Sequence, residues 1–259
     1  QQAAKGSPLL LKNNRVNSTS HLKYQQAFVM PADLQQFLTP TRFIDADHTA
    51  VMAYAHTHSV GAKTDSDKAI RLYYRVRDDF RYNPYSLDLS IKGMQASTVL
   101  ANGEGWCVNK AVLLTACCRA LGIPARLGFA DVVNHLTSEK LLKVMQSNVF
   151  KWHGYSSIFL NNQWVKATPA FNIELCEKAG IHPLDFDGMQ DSIYHEFDKA
   201  GNKHMEYQHY RGEHADLPLQ EMTETFERDY AFNASEPMPT EDFHDAVARE
   251  HASSQRTKL

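Results

Sequence analysis

Apolar positions recur at helical spacing through the first half of the chain. In "TRFIDADHTAVMAYAHTHS", Val51, Met52, Tyr54 and Ala55 follow Asp45 and Asp47, either of which can cap a helix. "KTDSDKAIRLYYRVRDDFRYNP" repeats the pattern. Asp65 to Asp67 start the helix, Ile70, Tyr73, Tyr74 and Val76 to Phe80 make its inner face, and Pro84 ends it. The strongest run, "CVNKAVLLTACCRALGIPAR", predicts a central helix from Cys107 to Leu121, closed by Gly122 and Pro124 in the order typical of a C-terminus.

After Pro124 the period changes. "ARLGFADVVN" and "GYSSIFLNNQWVKATP" are short, rich in β-branched and aromatic residues, and turn at Asn161-Asn162, so they predict antiparallel strands. "TSEKLLKVMQSN" between them predicts a helical insertion that begins near His135. Further on, "SIYHEFDKAGNKHMEYQHY" predicts a hairpin turning at Ala200-Gly201-Asn202, and "LPLQEMTETFERDYAF" a helix, followed by a polar tail. Helices first and a sheet afterwards predict an α+β fold. The expected division is a flexible N-terminal arm over 1–24, a core over 25–175 and a C-terminal extension over 176–259 packed on the core.

Composition changes this picture little. An apolar fraction of 43%, a charged fraction of 22% and a net charge of −3 are ordinary for a globular protein, and with dispersed basic residues they predict neither nucleic-acid nor membrane binding. No stretch approaches the roughly 18 apolar residues needed to span a bilayer. The four cysteines, Cys107, Cys117, Cys118 and Cys176, include no C-x-x-C pair and are read as reduced. With no signal-like core in "QQAAKGSPLLLKNNRVNSTS", this favours a cytoplasmic location.

Cys107 carries the chemistry. A cysteine at a helix N-terminus meets the positive end of the helix dipole and free N–H groups, which lower a thiol pKa and can also bind an oxyanion. Cys117 and Cys118 lie deep in the same helix, where no such field reaches. A nucleophile needs a base, and of thirteen histidines His153 opens the strand "HGYSSIFL". His48, His56 and His58 read as surface or capping residues. The set His195, Glu196, His204, Glu206 and His209 invites a metal reading, but alternate positions on a charged hairpin read as a solvated face. "DFDGMQD" (185–191) lacks EF-hand order and reads as a turn. No metal and no cofactor is expected.

"GEGWCVNKAVLLTACCRALGIPARLGFA" resembles the core motif of the transglutaminase-like superfamily, and "HGYSSIFLNNQWVKATP" is similar to its second motif. The upstream "DDFRYNPYS" and "ASTVLANGEG" resemble its lead-in. The resemblance covers roughly residues 65 to 170. It implies a papain-like α+β fold with Cys107 as nucleophile and His153 as base. The family's third member, an aspartate, falls on Thr168, whose hydroxyl can hold an imidazole tautomer but supplies no charge. Asn172 is the alternative orienter. Trp106 is expected to wall the cleft or shield a thioester, and Tyr82 and Asn83 to supply an oxyanion donor. The implied activity is acyl transfer on an amide of a peptide or protein, with hydrolysis ahead of transfer to an amine. The rivals are a silent peptide-binding module, kept open by the missing aspartate, and a metalloprotein built on the C-terminal histidines.

Overall fold

The computed structural model describes residues 32–134, 138–194, 196–230 and 239–257. The helical part comes first: α1 (Ala32–Gln35), α2 (Thr49–Ser59), α3 (Asp65–Asp79), α4 (Ala96–Asn102) and α5 (Cys107–Ala120). Two short strands, β1 (Arg81–Tyr82) and β2 (Glu104–Gly105), pair in parallel within it. The second part supplies β3 (Ala125–Asn134), α6 (Glu139–Met145), β4 (Val149–Leu160), β5 (Gln163–Ala167), α7 (Ile173–Ala179), β6 (Met205–His214), α8 (Leu219–Asp229) and α9 (Phe243–Thr257). Strands β5-β4-β3-β6 form one antiparallel sheet in that order. The fold is α+β, as the order of periods predicts, and among the described residues no helix is long and apolar enough to cross a membrane.

Helix α5 is the axis of the core. Residues Cys107 to Arg119 are all buried, because α2, α3 and α4 cover one side and β3 and β4 the other. An all-round buried helix must satisfy its own polar side chains, and this one does. Thr115 donates to Ser156 Oγ at 2.9 Å, and Arg119 donates to the carbonyls of Thr39, Ala125 and Ala215. Lys110 Nζ donates to the carbonyls of Arg77, Phe80 and Ala170 at 2.8, 2.6 and 2.7 Å. Burial pushes this lysine down to about 7, yet three acceptors require three N–H donors, so the group is the ammonium form.

Two glycines fix how the sheet and loops meet α5. Gly103 ends α4 at φ +70°, which turns the chain into β2 and on to Cys107. Gly154 lets β4 press against the first turn of α5: a Cβ there would lie 3.0 Å from Val108 Cα. The β4–β5 turn has positive φ at both Asn161 and Asn162, the geometry of a two-residue hairpin.

Several boundaries differ from expectation. Helix α2 is capped by His48, whose Nδ1 accepts the Ala50 N–H at 3.3 Å, because Asp45 is engaged elsewhere by the Ser97 N–H at 3.1 Å. Helix α3 begins with a capping box between Thr64 and Asp67. It ends at Asp79, before Pro84, because residues 81–83 are drawn into pairing with β2. Around 198–202 the Asp198 carboxylate holds the turn by accepting the N–H groups of Ala200 and Asn202. Phe197 and Lys203 pair across that turn, with the Asp198 N–H donating to the Asn202 carbonyl and the His204 N–H to the Glu196 carbonyl, and the chain from Met205 onward pairs with β3.

The expected tail contains α9, whose Phe243, Ala246 and Val247 are buried where it packs on α7. Helix α7 itself runs across the expected boundary at 175–176, and Tyr73 of α3 donates to the Leu184 carbonyl at 3.0 Å. The arm over 1–24, His135 and His195 lie outside the described residues.

Candidate active site

Cys107 is the first residue of α5, Trp106 occupies the N-cap position in an extended conformation, and no side chain caps the helix. The backbone of Gly154, Val108 and Cys107 itself lies close enough to the sulfur to favour its ionised form. Gly154 directly follows His153 on β4, so the close approach that requires glycine also brings the histidine to the mouth of the helix. Cys107, His153, Trp106 and Tyr82 line one cavity of about 60 Å³.

The rest of that wall is apolar. Leu141 and Met145 come from α6, Phe150 from β4, and Phe226 and Tyr230 from α8 and its C-cap. Phe226 packs on the Trp106 ring at 6.1 Å, and the Tyr230 hydroxyl is tethered to β4, donating to Val149 O at 3.1 Å and accepting from Lys151 N at 2.5 Å. Among the described residues Lys151 is the one cation on the wall, and its ammonium lies 3.4 Å from Asp131 and 3.8 Å from Asp229. Helix α8 thus covers the site, leaving Cys107 6% and His153 5% exposed.

That cover decides the charge state. Burial pushes the Cys107 thiol up to about 11, although the backbone of Gly154, Val108 and Cys107 itself pulls the other way. Burial pushes His153 down to about 4, and the nearby His204 adds to the push. Both directions favour the uncharged pair, thiol and neutral imidazole, so burial works against the thiolate expected from the helix N-terminus.

The other anticipated residues fall in three places. Thr168 is buried just beyond β5, its hydroxyl unpartnered, on the wall of a second cavity that His153 also lines. Asn172 stands at the N-cap of α7, and its Oδ1 accepts the Tyr82 N–H at 3.1 Å, which commits that oxygen to holding β1. Asn83 bonds Glu104 through Nδ2 and the Tyr85 N–H through Oδ1, the side-chain pattern of an ordinary turn, and does not line the Cys107 cavity. Trp106 does line it, and its indole Nε1–H is buried with no partner.

Residues 52–169 match the model of the transglutaminase-like superfamily. This stretch resembles a transglutaminase-like core. It contains Cys107, His153 and Thr168, and stops short of Asn172. A comparison with curated proteins finds no match. Among solved structures, one similar chain is a candidate cysteine protease from Cytophaga hutchinsonii, 18% identical, with a TM-score of 0.43 over 71% of this chain and 55% of that one. Another is a candidate protease from Parabacteroides distasonis, 13% identical, with a TM-score of 0.33 over 49% of this chain and 26% of that one. The chain thus spans about half the length of the first and a quarter of the second.

Sequence reasoning missed three groups around the candidate site. His204, expected on a solvated face, is 2% exposed and lines the second cavity, against His153. Asp131, held by a two-pronged contact with Arg211, braces the strand that carries His153. Phe226 and Tyr230 roof the cysteine. The amphipathic pattern of "LPLQEMTETFERDYAF" announces a buried face for α8, but not what it covers.

Proposed function

We propose that this protein cleaves amide bonds by acyl transfer through a thioester on Cys107. The observation that carries the reading is the shared cavity, where the first residue of a buried helix meets a strand histidine under an apolar roof. Because the resting pair is uncharged, the thiol proton passes to His153 as the sulfur attacks the carbonyl carbon, and negative charge moves straight to the carbonyl oxygen. The N–H groups at the start of α5, which no side chain caps, and the unpartnered indole N–H of Trp106 are the donors available to stabilise that oxygen, a contribution of about 10²–10³ in rate for one donor. The C–N bond then breaks, and His153 returns its proton to the leaving amine. In the second half, His153 takes a proton from water as the water oxygen attacks the thioester, and the thiol is regenerated with release of a carboxylic acid.

The lining supports a substrate class. The wall offers aliphatic and aromatic side chains, and its cation, Lys151, is already paired. The acyl group of a peptide or protein with an apolar side chain matches this wall better than a charged one does. A cavity of about 60 Å³ filled by such a group leaves room for water more readily than for a second amine, which supports hydrolysis over cross-linking.

One observation favours a second reading, a peptide-binding module without turnover: a threonine stands at 168, where a carboxylate would stabilise the imidazolium. Incubation with peptide amides that differ only in the acyl residue separates the two. Release of amine from leucyl and phenylalanyl amides, lost in Cys107→Ser, is the expected result. Binding of the same peptides with no product would establish the silent module.

A further inference from the structure

A second cavity of about 20 Å³, which Cys107 does not line, lies against His153. His153 and Thr168 both line it, and each carries a buried polar atom with no hydrogen-bond partner: Nε2 of the histidine and Oγ1 of the threonine. Since neither atom bonds the other, the threonine does not orient the imidazole directly. Two such orphans on one wall are uncommon, because the great majority of buried polar groups in folded proteins have a hydrogen-bond partner.

The space has the size and chemistry for one water molecule. A water needs at least about 10–15 Å³ and two to four polar partners. Tyr194 and His204 also reach the wall. A shared metal ion is the competing occupant, since His182, His204 and Cys176 line the same space. Among the described residues, however, no three His, Cys, Asp or Glu side chains are grouped closely enough to hold one. Cys176 is turned to the Phe171 carbonyl at 3.7 Å.

We propose that a single buried water, bonded to His153 Nε2 and Thr168 Oγ1, is the third member of this site and stands where a carboxylate would otherwise sit. The water accepts the Nε2–H of the neutral ring, which keeps the other nitrogen, Nδ1, unprotonated and ready for the thiol proton. When the ring becomes imidazolium the same water stays bonded to Nε2–H, solvating the charge without supplying a countercharge. Thr168 acts through the water and is a positioning residue. The catalytic consequence rests on the acyl-transfer reading above; the water itself does not.

The test therefore has one arm that is independent of activity. High-resolution crystal structures and the His153 ring NMR signals are compared for the native protein, Thr168→Ser, Thr168→Val and Thr168→Asp. The expected result is one ordered water within hydrogen-bond distance of both atoms in the native protein and Thr168→Ser. In Thr168→Val the water is absent and the protected Nε2–H signal is lost. In Thr168→Asp the carboxylate bonds the ring directly and the imidazole becomes more basic. In the second arm, acylation of Cys107 falls about 10–100-fold in Thr168→Val and is retained in Thr168→Ser. In Thr168→Asp the acid limb of its pH profile moves to higher pH. An empty space, a metal ion, or a protein group bonded to Nε2 in the native structure would overturn the proposal. So would an Nε2–H signal unchanged in Thr168→Val. A bound water in a protein that acylates nothing would leave it standing and defeat the acyl-transfer reading instead.

Discussion

The Trp152 N–H donates to Asp131 Oδ1 at 3.1 Å, and Trp152 holds φ at +58°, a left-handed conformation that a bulky residue rarely adopts. The register between β3 and β4 shifts at this point, so Asp131 faces a bulge of which Trp152 is part, immediately before His153. Arg211 forks onto the Asp131 carboxylate, and its guanidinium lies 4.8 Å from the Trp152 ring centroid. A strained residue persists only when its surroundings over-determine it, and here they aim the next side chain, His153, at the helix mouth.

Asp131→Ala removes the acceptor for that N–H and leaves Arg211 without its partner. Acylation at Cys107 is expected to fall about 10–100-fold, while Asp131→Asn, which keeps an oxygen for the Trp152 N–H, retains more activity. Rates for the two variants, with far-ultraviolet circular dichroism as the control for folding, check this. Equal activity in Asp131→Ala and the native protein would remove the bulge from the account.

The buried neutral His153 makes stability depend on acid. Its folded-state pKa, about 4, lies below the 6.5 expected in the unfolded chain. Between those values the unfolded state binds a proton that the native state refuses, so this residue's contribution falls as pH drops from about 6.5 to about 4 and is flat above. Melting temperatures across that range should therefore decline more steeply for the native protein than for His153→Gln. Parallel curves would show that the ring is not held neutral.

Covering by α8 predicts slow chemistry at the sulfur until the roof gives way. Phe226→Ala, which removes the ring packed at a tilt against Trp106, is expected to speed iodoacetamide labelling of Cys107 several-fold at neutral pH and to weaken the preference for apolar acyl groups. Cys117 and Cys118, both fully buried on α5, report on unfolding in the same mass spectrum. Faster labelling of all three would mean that the variant has lost its core rather than its roof.

How far the sequence carries this picture depends on where each signal is local. Helix α5 is legible because an apolar run stops at Gly122 and Pro124, and the β4–β5 hairpin because Asn161-Asn162 accepts positive φ. Cys107 is legible because a helix start is a local feature, and His153 through the family motif; the expectation that His153 opens its strand fails, because β4 already begins at Val149, where it pairs with Val133. The charge state was not legible, since burial of the sulfur depends on α6 and α8, which come from distant parts of the chain. The burial of His204 depends on β6 pairing with β3, a long-range register that its own hairpin-like sequence conceals. Helix α9 reads as polar because its few apolar residues, Phe243, Ala246 and Val247, make sense only against α7. At Thr168 the residue itself is legible but its partner is not, because the atom beside it is set by a cavity.

The most direct test of the central claim is intact-mass measurement after brief reaction with the p-nitrophenyl ester of a short apolar acid, quenched in acid. The account predicts one acyl group on Cys107 in the native protein, none in Cys107→Ala, and formation at least about a hundredfold slower in His153→Ala. An unmodified Cys107, or acylation at the native rate without His153, would contradict it.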